Sequence, residues 1–161
     1  MLPHKWNNYF PYGHIINCIH TVCFKLPCDD TNWDIYKLIS TFPSLKVIID
    51  LRSSSTCYDL NIIERCNIIY IKIPIKGQTI PSKSTINKFF SILDKYVELN
   101  YLIGVHCTHG VNRTGYMICK YLIHRLNILP NIAIDIFEYN RGYSIERKIY
   151  TDDIFNNYIG L

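Results

Sequence analysis

Cys107 and Arg113 are the two side chains of this sequence best suited to chemistry, and five residues lie between them. They follow a short apolar run at residues 102–105, which is typical of a buried strand, and precede residues 116–126, whose apolar residues on most faces are typical of a central buried helix. A strand that passes through a tight loop into a helix N-terminus gathers backbone N–H groups around one concavity, and such a concavity attracts anions. The sequence therefore predicts an anion-binding loop between Cys107 and Arg113.

The residue types in this loop indicate what the anion would do there. A thiolate at a helix N-terminus beside a guanidinium titrates below the ordinary cysteine pKa of about 8.5, toward about 3.5–7.5. We therefore expect Cys107 to be a nucleophile at neutral pH, while Arg113 offers a planar charged fork for two phosphoryl oxygens. Gly110 allows a positive φ that brings the backbone close to the ligand. Together these residues predict a phosphoryl-transfer pocket with a covalent cysteine intermediate.

Three other interpretations of the same residues are weaker. Cys107 could be a buried structural cysteine and Arg113 a surface arginine, but the cysteine, the glycine and the arginine all fall between strand and helix, as the chemistry requires. A zinc site built from His106, Cys107 and His109 is disfavoured, because adjacent strand residues point to opposite faces and no CxxC or HxxxH partner occurs elsewhere. The lysine of a nucleotide-binding GxxxxGKS/T loop is also absent. We expect neither a metal nor a cofactor.

The segment at residues 106–115, HCTHGVNRTG, resembles the HCxxGxxR signature of the cysteine-dependent phosphatases, the superfamily of tyrosine and dual-specificity phosphatases. The residues at the variable positions of this signature are similar to those of a narrower branch, the RNA 5'-triphosphatases of the metazoan capping-enzyme type and the baculovirus-type phosphatases. Other segments resemble that branch in the same order, namely residues 6–9, 49–51, 58–59, 77–81, 141–142 and 145–147. The resemblance implies a single phosphatase domain over residues 1–161.

The loop and its neighbours supply the expected site residues. The expected catalytic residues are Cys107, Arg113 and Thr114, and the expected phosphate-binding residues are Thr108, His109, Gly110, Val111, Asn112, Arg113 and Lys76. The Thr114 hydroxyl could bond to the Cys107 sulfur and stabilise the thiolate as it leaves the phosphoenzyme, or it could bond to its own helix backbone. Arg141 and Arg147 are either contacts for RNA phosphates or ordinary helix-end arginines.

The predicted site lacks a general acid. In the phosphatases that this sequence resembles, an aspartic acid in the loop before the long helix protonates the leaving group, but residues 73–81 contain neither Asp nor Glu. General acid catalysis contributes about 10²–10⁴-fold, and its absence is tolerable when a stable anion such as a nucleoside diphosphate leaves. The pocket therefore suits a phosphoanhydride better than a phosphate monoester. Lys72 or Lys76 could stabilise the extra negative charge of a polyphosphate, or could simply face solvent. Asp59 could supply a substitute acid.

These observations favour a metal-independent RNA 5'-triphosphatase and diphosphatase, which acts on 5'-phosphorylated RNA through a cysteinyl-phosphate intermediate. The alternative is a dual-specificity phosphatase that uses the same nucleophile on phosphotyrosine or phosphoserine of a phosphoprotein. A third hypothesis, a non-catalytic phosphate-binding scaffold, is opposed by the intact Cys107 and Arg113. Trp6 and Tyr9 could stack on a substrate base, although covering an edge of the core is the plainer role.

Composition limits the class of protein. With 161 residues, 48% hydrophobic and 19% charged, the chain fits one globular domain with a single sizeable core. No apolar run is long enough to span a bilayer, and the N-terminus lacks a secretory signal, so we expect no membrane association. Seven cysteines without a disulfide-scaffold spacing predict an intracellular, reducing compartment such as cytoplasm or nucleus. A net charge of +4 permits an RNA substrate, and the abundance of Ile, Asn, Lys and Tyr is typical of an AT-rich genome, such as that of a virus.

The elements that must position the loop follow from the hydrophobic pattern. Strands are predicted at residues 21–26, 46–50, 67–75 and 102–105. Helices are predicted at five places: from a cap at Asp30-Thr31 to Phe42, from Pro81 to Val97, at residues 116–126, from Pro130 to Arg141, and at residues 149–158. Residues 51–67 are predicted to be a polar loop, either near the active site or merely a solvated connection. Interleaved strands and helices predict an α/β fold of the cysteine-phosphatase type, with a central, mostly parallel sheet of four to five strands flanked by helices on both faces. Ligands bind beyond the carboxyl ends of such strands, where the Cys107 loop would lie.

Overall fold

The computed structural model of the protein describes residues 1–158 and contains one five-stranded sheet. Its strands are β1 (Tyr12–Ile16), β2 (Thr21–Phe24), β3 (Leu45–Arg52), β4 (Ile69–Ile75) and β5 (Leu102–His106). Their order in the sheet is β1-β2-β5-β3-β4, and all neighbours pair in parallel except β1, which is antiparallel to β2. The predicted mostly parallel sheet is confirmed. Its parallel strands all end at the same edge.

Side chains on the central strands alternate between two apolar layers, because both faces of the sheet are covered. On β3, Val47, Ile49 and Leu51 belong to one cluster of buried residues, whereas Leu45 and Ile48 belong to the other. The nearly unbroken apolar run of β3 is what a strand needs when it is buried on both sides.

Six α-helices within residues 1–158 cover the sheet. On one face lie α1 (Ile35–Thr41) and α2 (Leu60–Arg65), and on the other α3 (Lys83–Glu98), α4 (Asn112–Leu126), α5 (Pro130–Arg141) and α6 (Lys148–Asn156). We refer to the two apolar clusters as the α1–α2 layer and the α3–α6 layer. Ten of the fifteen residues of α4 are buried, so the predicted central helix is confirmed. As predicted, α5 begins at Pro130 and ends at Arg141, and it is followed by the cap residue Gly142, which has φ 85°.

Two helices begin later than the sequence predicts. The side chain of Asp34, not the Asp30-Thr31 pair, caps α1 by accepting the N–H of Lys37. Similarly α3 begins at Lys83, two residues after Pro81, because the side chain of Ser82 accepts an N–H of the first turn. In both places a serine or aspartate nearer to the first apolar residue provides the cap.

Two elements were absent from the sequence prediction. The polar stretch at residues 51–67 contains α2, whose N-terminus is capped by the Asp59 side chain. The antiparallel strand β1 lies at the edge of the sheet, and only its last residue, Ile16, is fully buried. Both elements are short and only half buried, so neither carries a strong hydrophobic period.

None of the helices in residues 1–158 is long and apolar enough to cross a membrane. The predicted single domain over residues 1–161 includes residues 159–161, which lie outside the described part of the chain. That the chain forms a single domain stays a prediction.

Candidate active site

A pocket of about 280 Å³ opens at the carboxyl end of β5, where the chain turns through residues 107–111 into α4. Five of the predicted residues line it, namely Cys107, Thr108, His109, Asn112 and Arg113. The other lining residues are His4, Gly77, Gln78, Arg147 and Tyr150. The structure therefore brings the predicted nucleophile and the predicted guanidinium into one concavity.

The loop backbone is fixed against the end of β2. Gly110 has φ 67°, and a Cβ at this position would collide with the carbonyl group of Phe24. The N–H of Leu26 donates to the carbonyl oxygen of Thr108 at 3.0 Å. Gly110 and Val111 are buried, so they can contribute backbone rather than side chains to the pocket. A glycine is needed at position 110 both for its dihedral angle and for this close approach.

Arg141 holds the same loop from behind. Its side chain is 2% exposed, and it donates to the carbonyl oxygens of Gly110 at 3.1 Å, His109 at 2.9 Å and Phe10 at 2.8 Å. These carbonyls are thus satisfied on the side away from the pocket. The interpretation of Arg141 as a contact for RNA phosphates is wrong, because its guanidinium is buried under the loop.

The thiol of Cys107 is 3% exposed, and its surroundings favour ionisation. Burial raises its pKa, but the guanidinium of Arg113, the Thr114 hydroxyl and the backbone N–H groups of Thr114 and Gly110 outweigh burial, so that the pKa lies below its ordinary value. The direction is the one expected for a thiol at a helix N-terminus beside an arginine.

Thr114 is fully buried at the start of α4. Its Oγ1 has no hydrogen-bond partner of ordinary geometry in residues 1–158, although the hydroxyl is close enough to Cys107 to lower the pKa of the thiol. The hydroxyl thus lies near the sulfur but is not hydrogen-bonded to it in the free protein. It is therefore free to bond to the sulfur when a reaction changes the charge there.

Arg113 is oriented from two sides. Its Nη1 donates to the carbonyl oxygen of Ile75, at the end of β4, and its Nη2 donates to Thr108 Oγ1, each at 3.0 Å. The Arg113 guanidinium is thus held at the pocket by one strand end and one loop residue. Nη1 and Nη2 each keep a second N–H that can donate to a ligand.

His106 is completely buried behind the loop. Its Nδ1 lies 3.0 Å from the carbonyl oxygen of Cys107 and its Nε2 lies 2.8 Å from Tyr58 Oη. Burial lowers the pKa of His106 to about 4, although the nearby Asp50 opposes this, so the ring is neutral at pH 7. Because a carbonyl can only accept, the partners assign the proton to Nδ1, and Nε2 accepts from Tyr58. His106 thus fixes the backbone at Cys107.

A buried carboxylate, Asp50, lies behind the same strand end and binds cationic side chains. Its Oδ2 accepts from Arg52 at 3.1 Å, Lys72 at 2.7 Å and Tyr70 at 3.0 Å. Burial raises the pKa of Asp50, but His106 and the hydrogen bonds from Arg52 and Lys72 bring it to about 2. Lys72 Nζ also donates to the Ser54 carbonyl, at 2.6 Å. Lys72 is therefore engaged by protein groups, and its interpretation as a polyphosphate contact is wrong.

At the mouth, Asn112 ties the pocket to the segment before α6. Its Oδ1 accepts the N–H groups of Glu146 and Arg147, each at 2.9 Å, and its Nδ2 donates to Glu146 Oε2 at 3.2 Å. The ring of Tyr9 stacks on His109 with 4.5 Å between centroids, and its hydroxyl donates to Glu146. Asn112 thus bonds to the backbone of the segment before α6. Arg147 is consequently held on the pocket wall.

The remaining predicted residues lie elsewhere. Lys76 is exposed and is not among the lining residues, whereas its neighbours Gly77 and Gln78 are. Asp59 is occupied as the cap of α2, so nothing supports it as an acid. Trp6 is 2% exposed and its indole donates to Leu26, which makes it a core residue. The lining of the described pocket contains no Asp and no Glu.

Sequence reasoning did not single out His4 or Tyr150 as pocket residues. His4 belongs to an exposed N-terminal turn and carries no local signal. Tyr150 has the apolar spacing of a core residue in α6, and a phenol at such a position is a weak signal, because its hydroxyl needs a partner.

Comparison with known proteins gives a consistent picture. Residues 36–156 match the family model described as the dual specificity phosphatase catalytic domain. The tyrosine-protein phosphatase of Autographa californica nuclear polyhedrosis virus is 39% identical, over 96% of this chain and 99% of that protein. The human RNA/RNP complex-1-interacting phosphatase is 33% identical over 96% of this chain, which spans 52% of that protein.

Solved structures agree at the level of the fold. The kinase associated phosphatase with its catalytic-site cysteine replaced by serine superposes with a TM-score of 0.75 at 16% identity, covering 91% of this chain and 92% of that one. Tk-PTP in its active form has a TM-score of 0.70 at 16% identity, covering 83% of this chain and 87% of that one.

Proposed function

The chain belongs to the dual specificity phosphatase family of cysteine-dependent phosphatases, and on that premise we propose that it removes phosphates from the 5' end of RNA. The proposed activity is a metal-independent RNA 5'-triphosphatase and diphosphatase. Its nucleophile is Cys107, and the groups that bind the transferred phosphoryl are Arg113 and the loop amides.

The observation that carries this proposal is the lining of the pocket, which holds Cys107 and Arg113 but, among the described residues, no carboxyl group. A tyrosine or serine side chain leaves as a strong base and needs a proton, for which general acid catalysis supplies about 10²–10⁴-fold. A diphosphate end leaves as a stable anion and needs none. A pocket of this kind therefore favours a phosphoanhydride.

The chemistry follows from the geometry. The Cys107 thiolate attacks the γ phosphorus, the S–P bond forms as the bond to the β–γ bridging oxygen breaks, and the electron pair leaves with the diphosphate-ended RNA. Arg113 and the loop N–H groups stabilise the charge on the equatorial oxygens. Water then attacks the cysteinyl phosphate and gives up a proton, orthophosphate departs, and the thiolate re-forms next to Thr114. A second cycle on the diphosphate end removes the β phosphate in the same way.

Two further observations support a polyphosphate end. Arg147 lines the pocket, and its guanidinium is a suitable partner for a phosphate beyond the transferred one. Several relatives that are 33–34% identical are named RNA/RNP complex-1-interacting phosphatases, although this chain spans only about half of their length.

All seven cysteines are free thiols, and we place the protein in an intracellular, reducing compartment, where a cysteine nucleophile stays active.

The test compares the release of phosphate from triphosphate-ended RNA and from a phosphotyrosine peptide, both in the presence of a metal chelator. We expect efficient turnover of the RNA, a phosphoenzyme that can be trapped with a label on the γ phosphate, and loss of both in Cys107→Ser, with a rate decrease of about 10³-fold or more. Efficient turnover of the peptide alone would make the RNA assignment wrong. A fully active Cys107→Ser variant would overturn the covalent mechanism.

The second candidate is a dual-specificity protein phosphatase that acts on phosphotyrosine or phosphoserine. The viral relative that is 39% identical over nearly its full length is named a tyrosine-protein phosphatase. The same nucleophile serves both reactions, so the substrate comparison decides between them.

A further inference from the structure

Five buried polar side-chain atoms lack a hydrogen-bond partner in the described part of the chain, namely His20 Nδ1, Thr114 Oγ1, His124 Nε2, Arg141 Nη1 and Tyr150 Oη. Of these five, Tyr150 Oη is the one whose residue lines the active-site pocket. The Tyr150 side chain is 1% exposed. A buried hydroxyl without a partner destabilises a fold, so a ligand that would satisfy it has to be considered.

Tyr150 lines the same pocket as Cys107 and Arg113. The phenol is close enough to Arg113, to Cys107 and to the backbone N–H groups of Gln78 and Thr79 for each to change its pKa. Cys107 forms the floor of the pocket, whereas Gln78 and Thr79 belong to the segment between β4 and α3. Tyr150 therefore lines the pocket together with Cys107 and with Gln78, which belongs to the segment in which a general acid is missing.

Resting on the proposed function, we propose that the Tyr150 hydroxyl donates a hydrogen bond to the diphosphate that leaves when Cys107 attacks, and so selects phosphoanhydrides over phosphate monoesters. An in-line attack from the floor sends the leaving group toward the mouth, past the wall. A donor on the wall meets the charge that develops on the leaving oxygens.

A phenol suits this role better than a carboxylic acid. Burial raises the pKa of Tyr150, against the effects of Arg113 and the two backbone N–H groups, so the hydroxyl keeps its proton at neutral pH. It can donate a hydrogen bond without giving up the proton, which a departing diphosphate does not need. A neutral group also avoids the repulsion that a carboxylate would exert on a polyphosphate.

The experiment compares the wild type, Tyr150→Phe and the matched control Tyr139→Phe, which removes the same atom from an exposed tyrosine of α5. Inorganic tripolyphosphate and orthophosphate are used as competitive inhibitors of p-nitrophenyl phosphate hydrolysis. In Tyr150→Phe we expect the ratio of the tripolyphosphate to the orthophosphate inhibition constant to rise by about tenfold or more, the lower end for a hydrogen bond to a charged group. The ratio of kcat/KM for triphosphate-ended RNA to that for p-nitrophenyl phosphate should fall by a similar factor. Tyr139→Phe should match the wild type.

An unchanged ratio of inhibition constants in Tyr150→Phe would overturn this inference, even if the wild type hydrolyses RNA. If the wild type fails on RNA but that ratio rises, the RNA assignment is wrong and the phosphoanhydride contact stands. The thermal midpoint gives a separate check. Because the hydroxyl has no hydrogen-bond partner of ordinary geometry in residues 1–158, Tyr150→Phe should melt at or above the wild-type temperature, and a clear decrease would instead assign the hydroxyl a structural role.

Discussion

At the scale of single residues, the buried imidazole of His106 makes stability depend on pH. The pKa of His106 is about 4 in the folded protein and about 6.5 in an unfolded chain. Between these values the unfolded state binds a proton that the folded state does not, so stability falls as the pH drops below about 6.5. Asp50, whose folded pKa is about 2, contributes stability above its unfolded pKa of about 3.9, and this is lost as the pH falls further.

We expect the free energy of unfolding to decrease by about 1.4 kcal/mol per pH unit between about pH 6.5 and about pH 4, owing to His106 alone. Urea denaturation at a series of pH values measures this slope. In His106→Gln the slope should be markedly smaller, whereas in His14→Gln, which removes an exposed histidine, it should match the wild type. An undiminished slope in His106→Gln would mean that other groups cause the acid sensitivity.

The site residues that the sequence reveals are those that are close together along the chain. Cys107, Gly110 and Arg113 can be recognised because one loop carries all three, and their chemistry depends on that spacing. Tyr150 and Arg141 reach the same loop from α6 and α5, and each looks like an ordinary helix residue. Only the packing of those helices on the sheet gives them a place at the pocket.

At the scale of elements, helix α5 supports the catalytic loop through Arg141, which bonds to two loop carbonyls and to Phe10. In Arg141→Lys the forked set of hydrogen bonds is lost, and buried carbonyls are left without donors. We expect the free energy of unfolding to fall by about 3 kcal/mol. At a temperature where the variant is fully folded, kcat/KM should fall by about 10²-fold, because small misplacements of a catalytic group are costly.

The matched control for this prediction is Arg125→Lys. Arg125 pairs with Asp94 on the surface, where both side chains are more than 40% exposed, so the change should cost about 0.5 kcal/mol or less. Denaturation and steady-state kinetics of both variants give the answer. Equal, small effects in the two variants would show that the loop keeps its shape without Arg141.

Elements with a strong hydrophobic pattern were predictable, and those defined by caps or edges were not. Strand β3 and helix α4 follow from long apolar runs that the sheet buries. Helix α2 is a short turn begun by Asp59, and β1 is a half-exposed edge strand. The start of α1 depended on which of several aspartates in residues 29–34 bonds to a backbone N–H, and sequence alone does not decide between them.

At the scale of the whole molecule, the two tryptophans report on one side of the sheet only. Trp6 and Trp33 both belong to the α1–α2 layer, whereas the four longest helices, which dominate circular dichroism, pack in the α3–α6 layer. We predict that the chain unfolds as one unit. Urea midpoints from tryptophan fluorescence and from circular dichroism should then coincide. Two separated midpoints would divide the proposed single domain into independently folding parts.

The strand order carries a consequence for synthesis in the cell. Strand β5 sits between β2 and β3 in the sheet, yet it leaves the ribosome long after both. A nascent chain that stops before Leu102 therefore has two half-sheets with a gap where the middle strand belongs, and its open edges are exposed to aggregation. The strand that fills the gap also delivers Cys107 at its end, so the protein acquires its nucleophile in the same step in which its sheet closes.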